Sequence, residues 1–255
     1  MTAPIEFETL RTNVPSIFTT SPSPKLSDKY VFVPTVDILE KFSAEGWDIF
    51  SARQTGKGKY SKHEIRLRNG SMPKVVGDSL FEAVISNSHD GTTVLSVKAG
   101  LFRLACRNGL TVPTSLSGTI NLKHKYFDAS EVRKLTDSFA ESLPTIDGSV
   151  KEMMSRVMTS DERFEFAKTA MTLRWPEERM PINLSPERLI LPNRNEDVEP
   201  TLWNTFNTVQ ENFVRGGVTY STGTQRRTSV RALKDIKLIN DINTGLWKMA
   251  ESYLQ

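Results

Sequence analysis

From Tyr30 onward the apolar positions recur with readable periods, and the period changes near residue 128. Val36, Leu39 and Phe42 follow Pro34-Thr35 at helical spacing and the run stops at Gly46, which predicts a short amphipathic helix. In Lys62–Arg68, His63, Ile65 and Leu67 alternate with Lys62, Glu64, Arg66 and Arg68. A strand there presents apolar groups on one face and mostly cations on the other, and that second face is expected to be solvated and positive. Ser79–Asn87 reads as a further strand, and Asp90-Gly91 as the turn pair leading into Thr92–Lys98. Leu101–Arg107 fits a helix better than a strand, because Leu101, Leu104 and Ala105 share a face and Asn108-Gly109 is a good stop. Leu116–Lys123 predicts a last strand.

Beyond Asp128 the spacing is helical. Val132, Leu135, Phe139 and Leu143 form one stripe; Ser160-Asp161 is placed to cap a helix carrying Phe164, Ala167 and Met171; a third helix runs from about Pro200 through Leu202, Phe206, Val209 and Phe213 to Gly216-Gly217. Thr219–Ser229 reads as a Gly/Ser/Thr loop, and a final helix carries Leu246, Met249 and Tyr253. Strands first and helices later predict an α+β fold, with an antiparallel sheet and short helices in the N-terminal half and a mostly helical C-terminal half. Residues 1–27, with Pro15, Pro22 and Pro24, read as an extended lead-in with little core of its own. The remainder, 28–255, is expected to be one domain, sheet-rich over 28–127 and helical over 128–255.

Composition narrows the class. At 255 residues and 38% hydrophobic the chain can bury a large core. It has no run approaching the roughly 20 apolar residues that a membrane span needs, and its first ten residues contain acids, so neither secretion nor a membrane is expected. A single cysteine, Cys106, cannot form an internal disulfide or a Cys-rich zinc site, which fits a reducing compartment, the cytoplasm. Net charge is only +3, but it is segregated. Ser51–Lys74 holds seven Lys or Arg against one acid, Gly91–Phe127 five against none and Phe213–Lys237 six against one, while most of the acids lie in 128–212 and the first fifty residues.

Candidate chemistry is sparse. His63, His89 and His124 lack the paired spacing of a metal site, and neither metal nor cofactor is expected. Asn87-Ser88-His89-Asp90-Gly91 is the densest polar cluster; it reads equally as a site or as a turn built from residues that bond their own backbone. Cys106 and His89 are the residue types of a nucleophile and its base, but a cysteine among the apolar residues 101–110 is normally a small buried hydrophobe. Gly56-Lys57-Gly58-Lys59 lacks the spacing of a phosphate-binding loop and predicts a basic hairpin loop, with Tyr60 beside it as an aromatic face. Arg226, Arg227 and Arg231 lie in a loop of small residues with the signs of a mobile arm suited to phosphate.

Three blocks of sequence give the chain a family resemblance: Tyr30-Val-Phe-Val-Pro34-Thr35; Asn87-Ser-His-Asp-Gly91 with Gly100-Leu-Phe-Arg103-Leu-Ala-Cys106-Arg-Asn108-Gly109-Leu110; and Leu202-Trp203 through Gln210-Glu211-Asn212 and Gly216-Gly217 to Leu246-Trp247-Lys-Met249-Ala-Glu251. Together they resemble the phage- and plasmid-like proteins grouped as domain of unknown function 932. The resemblance implies a mobile element in a bacterial host, a setting in which small proteins handle DNA or disarm host defences. The leading expectation is a non-enzymatic protein that binds or anneals single-stranded DNA, using Lys57, Lys59, Arg66, Arg68, Arg103, Arg107, Arg226, Arg227 and Arg231 on phosphates. Asn87, Ser88, His89, Asp90 and Asn108 form the family's polar cluster, with no role assigned. Two further readings are a protein-binding inhibitor of a host defence or restriction system, presenting its acidic segment 128–212 to a host protein, and an enzyme built on Asn87, His89, Asp90 and Cys106. Self-association into a homo-oligomer is compatible with each.

Overall fold

A computed structural model describes residues 3–72, 75–103, 108–111, 120–121, 129–222, 224 and 226–255. The fold is α+β. Among the described residues the strands β1 (Trp47–Gln54), β2 (His63–Asn69), β3 (Val75–Val76), β4 (Ser79–Asn87), β5 (Ser96–Arg103), β6 (Asn108–Thr111) and β7 (Ile120–Asn121) form one sheet. Its order is β1-β2-β4-β5-β6, with β3 on β4 and β7 on β5. The pairs β1–β2, β2–β4, β3–β4 and β5–β7 are antiparallel. Contacts divide the chain into two compact units, 1–102 with 111–144, and 103–110 with 145–255.

In the first unit, α1 (Phe7–Asn13) and the following turn bury Leu10, Val14 and Ile17. The segment is therefore partly helical where an extended one is expected, and it is tied to β1, the Ile5 amide donating to the Ile49 carbonyl at 2.6 Å and the Ser16 amide to the Gln54 side chain at 3.1 Å. Helix α2 (Thr35–Ala44) buries Thr35, Ile38, Leu39 and Phe42, a stripe displaced from the expected one, with Val36 only half-buried. It ends where Gly46 takes a φ of 80°, a conformation that costs a glycine little. The long helix α3 (Ala129–Ser155) buries Val132, Leu135, Phe139 and Leu143, the stripe its spacing predicts. Phe139 meets Trp47 and Phe81 edge-on, and Trp47 meets Phe42 likewise, so the core lies between the apolar sheet face and the two helices.

Two elements differ from expectation around β5. Leu101–Arg103 is strand, not helix, and the strand begins at Ser96 rather than Thr92; 104–107 lie outside the described residues. Val97, Ala99, Leu101 and Arg103 are the alternating buried positions. An arginine at one apolar register position hides a period of two and leaves the helical spacing of Leu101 and Leu104 as the stronger signal. Of the strand expected over 116–123, Ile120–Asn121 is strand and pairs with Val97 and Ser96; the rest lies outside the described residues.

The second unit is helical. Its first helix, α4 (Ser160–Arg174), is capped by Thr159 rather than by Ser160-Asp161: the Thr159 hydroxyl accepts from the Glu162 amide while the Glu162 carboxylate accepts from the Thr159 amide. Its buried residues are Phe166, Ala167, Ala170 and Met171. After a single turn, α5 (Pro186–Leu189), come α6 (Leu202–Val214) and α7 (Ile236–Ser252). Trp203 stacks on Phe206 at 5.6 Å and Trp247 packs edge-on against both, which gives this unit its aromatic centre. Helix α6 is buried on nearly every side, and its polar residues bond inward: Gln210 to the Gly109 carbonyl and Asn243, Asn212 to the Leu189 carbonyl and Asn193. Between α6 and α7, Thr219–Ser229 is a small hairpin, β8 (Thr219–Ser221) with β9 (Arg227–Ser229), where the sequence predicts a loop.

Candidate nucleic-acid interface

The cationic face of β2 is not solvated. Arg66 and Glu64 are buried, and the side chain of Glu82 on β4 is fully enclosed. The charges form a continuous row: Arg53 on Glu64 at 2.9 Å, Arg66 on Glu64 at 3.3 Å and on Glu82 at 3.1 Å, and Arg68 on Glu82 through two N–H groups at 2.9 and 2.7 Å. The Arg68 guanidinium also lies 4.3 Å from the Phe50 ring and 5.0 Å from that of Phe102. The expectation of an open positive face is corrected by Glu82, which lies outside the strand that suggested it and neutralises two arginines at once. Arg103 is likewise buried and ion-paired, to Asp197, and donates to Asn204 at 3.4 Å. These three arginines hold the fold. Arg107 lies outside the described residues; Asn108 opens β6.

Two other groups of cations stand in solvent. The loop between β1 and β2 turns at Gly56 and presents Lys57 and Lys59, both exposed, with the Lys59 ammonium 5.0 Å from the Tyr60 ring. In the second unit the β8–β9 hairpin presents Arg226 and Arg227, and Arg231 follows; all three are exposed. None of these five has a carboxylate within ion-pair distance among the described residues. Main-chain bonds close the hairpin, the Gly217 amide donating to the Val230 carbonyl, the Val230 amide to the Val218 carbonyl and the Thr222 amide to the Arg226 carbonyl, each at 2.8 Å, and the Thr222 hydroxyl accepts from the Arg226 amide at 3.1 Å. Its base requires glycine: Gly216 has φ of 72°, and a Cβ there would run into the Val230 carbonyl.

Beside the hairpin is a pocket of about 370 Å³ lined by Arg174, Trp175, Tyr220, Thr228, Ser229, Val230 and Arg231. No motif announces it, since Arg174-Trp175 stand at a helix end and Tyr220 on a short strand. Arg174 donates to the Phe213 and Arg231 carbonyls and its guanidinium lies 4.8 Å from the Trp175 ring. Burial pulls its pKa down to about 10, against a smaller opposing influence of Tyr220.

The polar cluster at the end of β4 is both a turn and a buried network. Asp90 accepts from Thr92, and Gly91 takes a φ of 75°, as a turn requires. Asn87, Ser88 and His89, however, are buried together with Thr35 and His63. The protons of this group can be placed. The Ser61 carbonyl only accepts, so His63 carries its hydrogen on Nδ1, 3.0 Å away, and its Nε2 is bare. The Thr35 hydroxyl donates to that Nε2 at 2.8 Å, and then has only acceptor capacity for the Asn87 amide at 2.9 Å and for His89 Nε2–H at 3.3 Å. His89 Nδ1 is thereby left as a bare lone pair, buried and with no hydrogen-bond partner among the described residues. Burial pushes His63 down to about 3, with the neighbouring His89 adding to it, and pushes His89 down to about 4 against the pull of Asp90. Thr35 and His63 were not joined to this cluster by the sequence reading. The antiparallel pairing of β2 with β4 sets His63 opposite Asn87 and so brings it to the cluster.

Among the described residues there is no group of three or more His, Cys, Asp and Glu placed to hold a metal ion, and no helix long and apolar enough to cross a membrane. Residues 25–235 match the sequence profile of a family described as Domain of unknown function (DUF932). Two Escherichia coli K12 proteins, "UPF0380 protein YafZ" and "UPF0380 protein YfjQ", are each 30% identical to this chain across 98% of its length and 92% of their own. No solved structure matches.

Proposed function

The chain belongs to the DUF932 family, and from that premise, which assigns no activity, we propose that it binds nucleic acid in single-stranded form through its exposed hairpin cations. The observation that carries this reading is the sorting of the arginines. Arg66, Arg68 and Arg103 are held on carboxylates inside the units, whereas Arg226 and Arg227 on one short hairpin and Arg231 just after it stand exposed with no carboxylate within ion-pair distance among the described residues. Each such cation gains by displacing counterions from a phosphate, and arginine adds a planar, forked donor geometry. Lys57 and Lys59 beside Tyr60 repeat the combination of cation and aromatic in the first unit. The mobile-element setting implied by the resemblance supports the same reading, and annealing of complementary strands is its natural extension.

The test is fluorescence anisotropy with labelled single- and double-stranded DNA across about 50–200 mM salt, the range in which phosphate-driven affinity falls steeply. Binding to the single strand that weakens with salt is the expected result. No binding at the lowest salt sinks the proposal.

A further inference from the structure

Resting on the nucleic-acid reading above, we propose that the pocket at the foot of the β8–β9 hairpin is a nucleotide subsite, in which an unpaired base stacks on Tyr220 beside Trp175 while the adjoining phosphate is held by Arg174 and Arg231.

The pocket's volume, about 370 Å³, falls in the range of small-molecule sites, about 300–1,000 Å³. Its walls match the two halves of a nucleotide. Trp175 is a fixed wall, held edge-on by Phe213 at 5.5 Å and covered by the Arg174 guanidinium. Tyr220 enters no ring contact and no side-chain hydrogen bond among the described residues, so its ring is uncommitted, which is what a stacking platform requires. Arg174 is half-buried with only neutral carbonyl oxygens as partners and no carboxylate within ion-pair distance among the described residues. Its lowered pKa reflects that uncompensated burial, and an entering phosphate supplies the missing negative charge. Thr228 and Ser229 add hydroxyls on the same wall. A base inside a duplex is already stacked on both faces and cannot reach Tyr220, so this subsite selects for single strands where the exposed arginines alone would not.

Tryptophan fluorescence reads this directly. Trp47, Trp203 and Trp247 are fully buried in the two cores, which leaves Trp175 as the tryptophan that a base can quench. The full-length protein is titrated with a short 5′-phosphorylated oligothymidylate and, separately, with an abasic strand of the same length and charge. The expected result is quenching by the thymidylate and not by the abasic strand, with the quenching lost in Trp175→Phe. In Tyr220→Ala, thymidylate affinity falls on the order of ten-fold or more, the scale of one base–aromatic stack, and Tyr220→Phe, which keeps the ring, restores it. Equal affinity for thymidylate and abasic strands, with no quenching, overturns the subsite and leaves phosphate-driven binding intact. Failure of both strands to bind overturns the nucleic-acid reading as well. Circular dichroism of each variant shows that the fold is retained, and the Tyr220→Phe control separates loss of stacking from loss of the hairpin.

Discussion

Arg66 on β2 and Arg227 on β9 carry the same charge on strands of the same protein, yet one is enclosed between Glu64 and Glu82 and the other is exposed with no carboxylate within ion-pair distance among the described residues. A cationic strand is a surface only if the neighbouring strand leaves it one. Across β2 runs β4, which brings Glu82 into the row. A guanidinium taken out of water without such a partner would be prohibitively unfavourable, so the buried arginines and their glutamates are retained together or lost together. The hairpin arginines have no such dependence, and their charge remains available to something outside the molecule.

The largest effect is expected from removing Glu82. Glu82→Ala leaves Arg66 and Arg68 enclosed without their shared carboxylate, and the expected loss is about 3–5 kcal/mol of folding stability, measured by urea denaturation. A loss under about 1 kcal/mol shows that the row is solvated after all.

Acid destabilises the buried polar groups by a second route. His63 and His89 are held neutral, with pKa values of about 3 and about 4 against an ordinary value near 6.5. The unfolded chain therefore binds protons that the folded one refuses. This stability is fully present above about pH 6.5 and is lost as pH falls from there through the folded values, on the order of a few kcal/mol by pH 4.5. The urea midpoint followed from pH 7 to 4.5 tests it, and replacing both histidines by asparagine should flatten the profile. A wild-type midpoint insensitive to pH over that interval counts against the buried pair.

Changes on the exposed side should move binding and not stability. The triple variant Arg226/Arg227/Arg231→Ala is expected to stay within about 0.5 kcal/mol per site of the parent in stability. Its single-strand affinity should fall, and the slope of log affinity against log salt should become shallower by about two. An unchanged slope removes the hairpin from the interface. The smallest effect is expected from Lys57/Lys59→Ala, shallower by about one; a larger effect there than at the hairpin would shift the principal contact to the first unit.

Much of the fold was legible because apolar spacing and burial agree. The Ser79–Asn87 strand, the Val132–Leu143 stripe and the C-terminal helices all follow periods set by what must leave water. Three of the departures share one cause, a polar side chain in a buried place. Arg103 hid the strand period of β5, Glu64 and Arg66 made the second face of β2 look wet, and His63 looked unrelated to His89. In each case the residue's partner lies far along the chain, Asp197, Glu82 or Thr35, and no local pattern announces it. Of the candidate interface, the exposed lysines and arginines were visible as loops rich in small residues. Tyr220 and Trp175 were not, because aromatics fill cores more often than they face ligands and only position tells the two apart.

The hairpin's anchoring has a consequence for how such proteins can diverge. Its ladder is made of main-chain bonds and a glycine at its base, so apart from Gly216 almost any side chain can be carried at its tip without disturbing the helices beneath. Selection is free to rewrite what the tip contacts while the buried charge rows stay fixed. An alignment of relatives is expected to vary most at the hairpin tip and least along the buried charge rows.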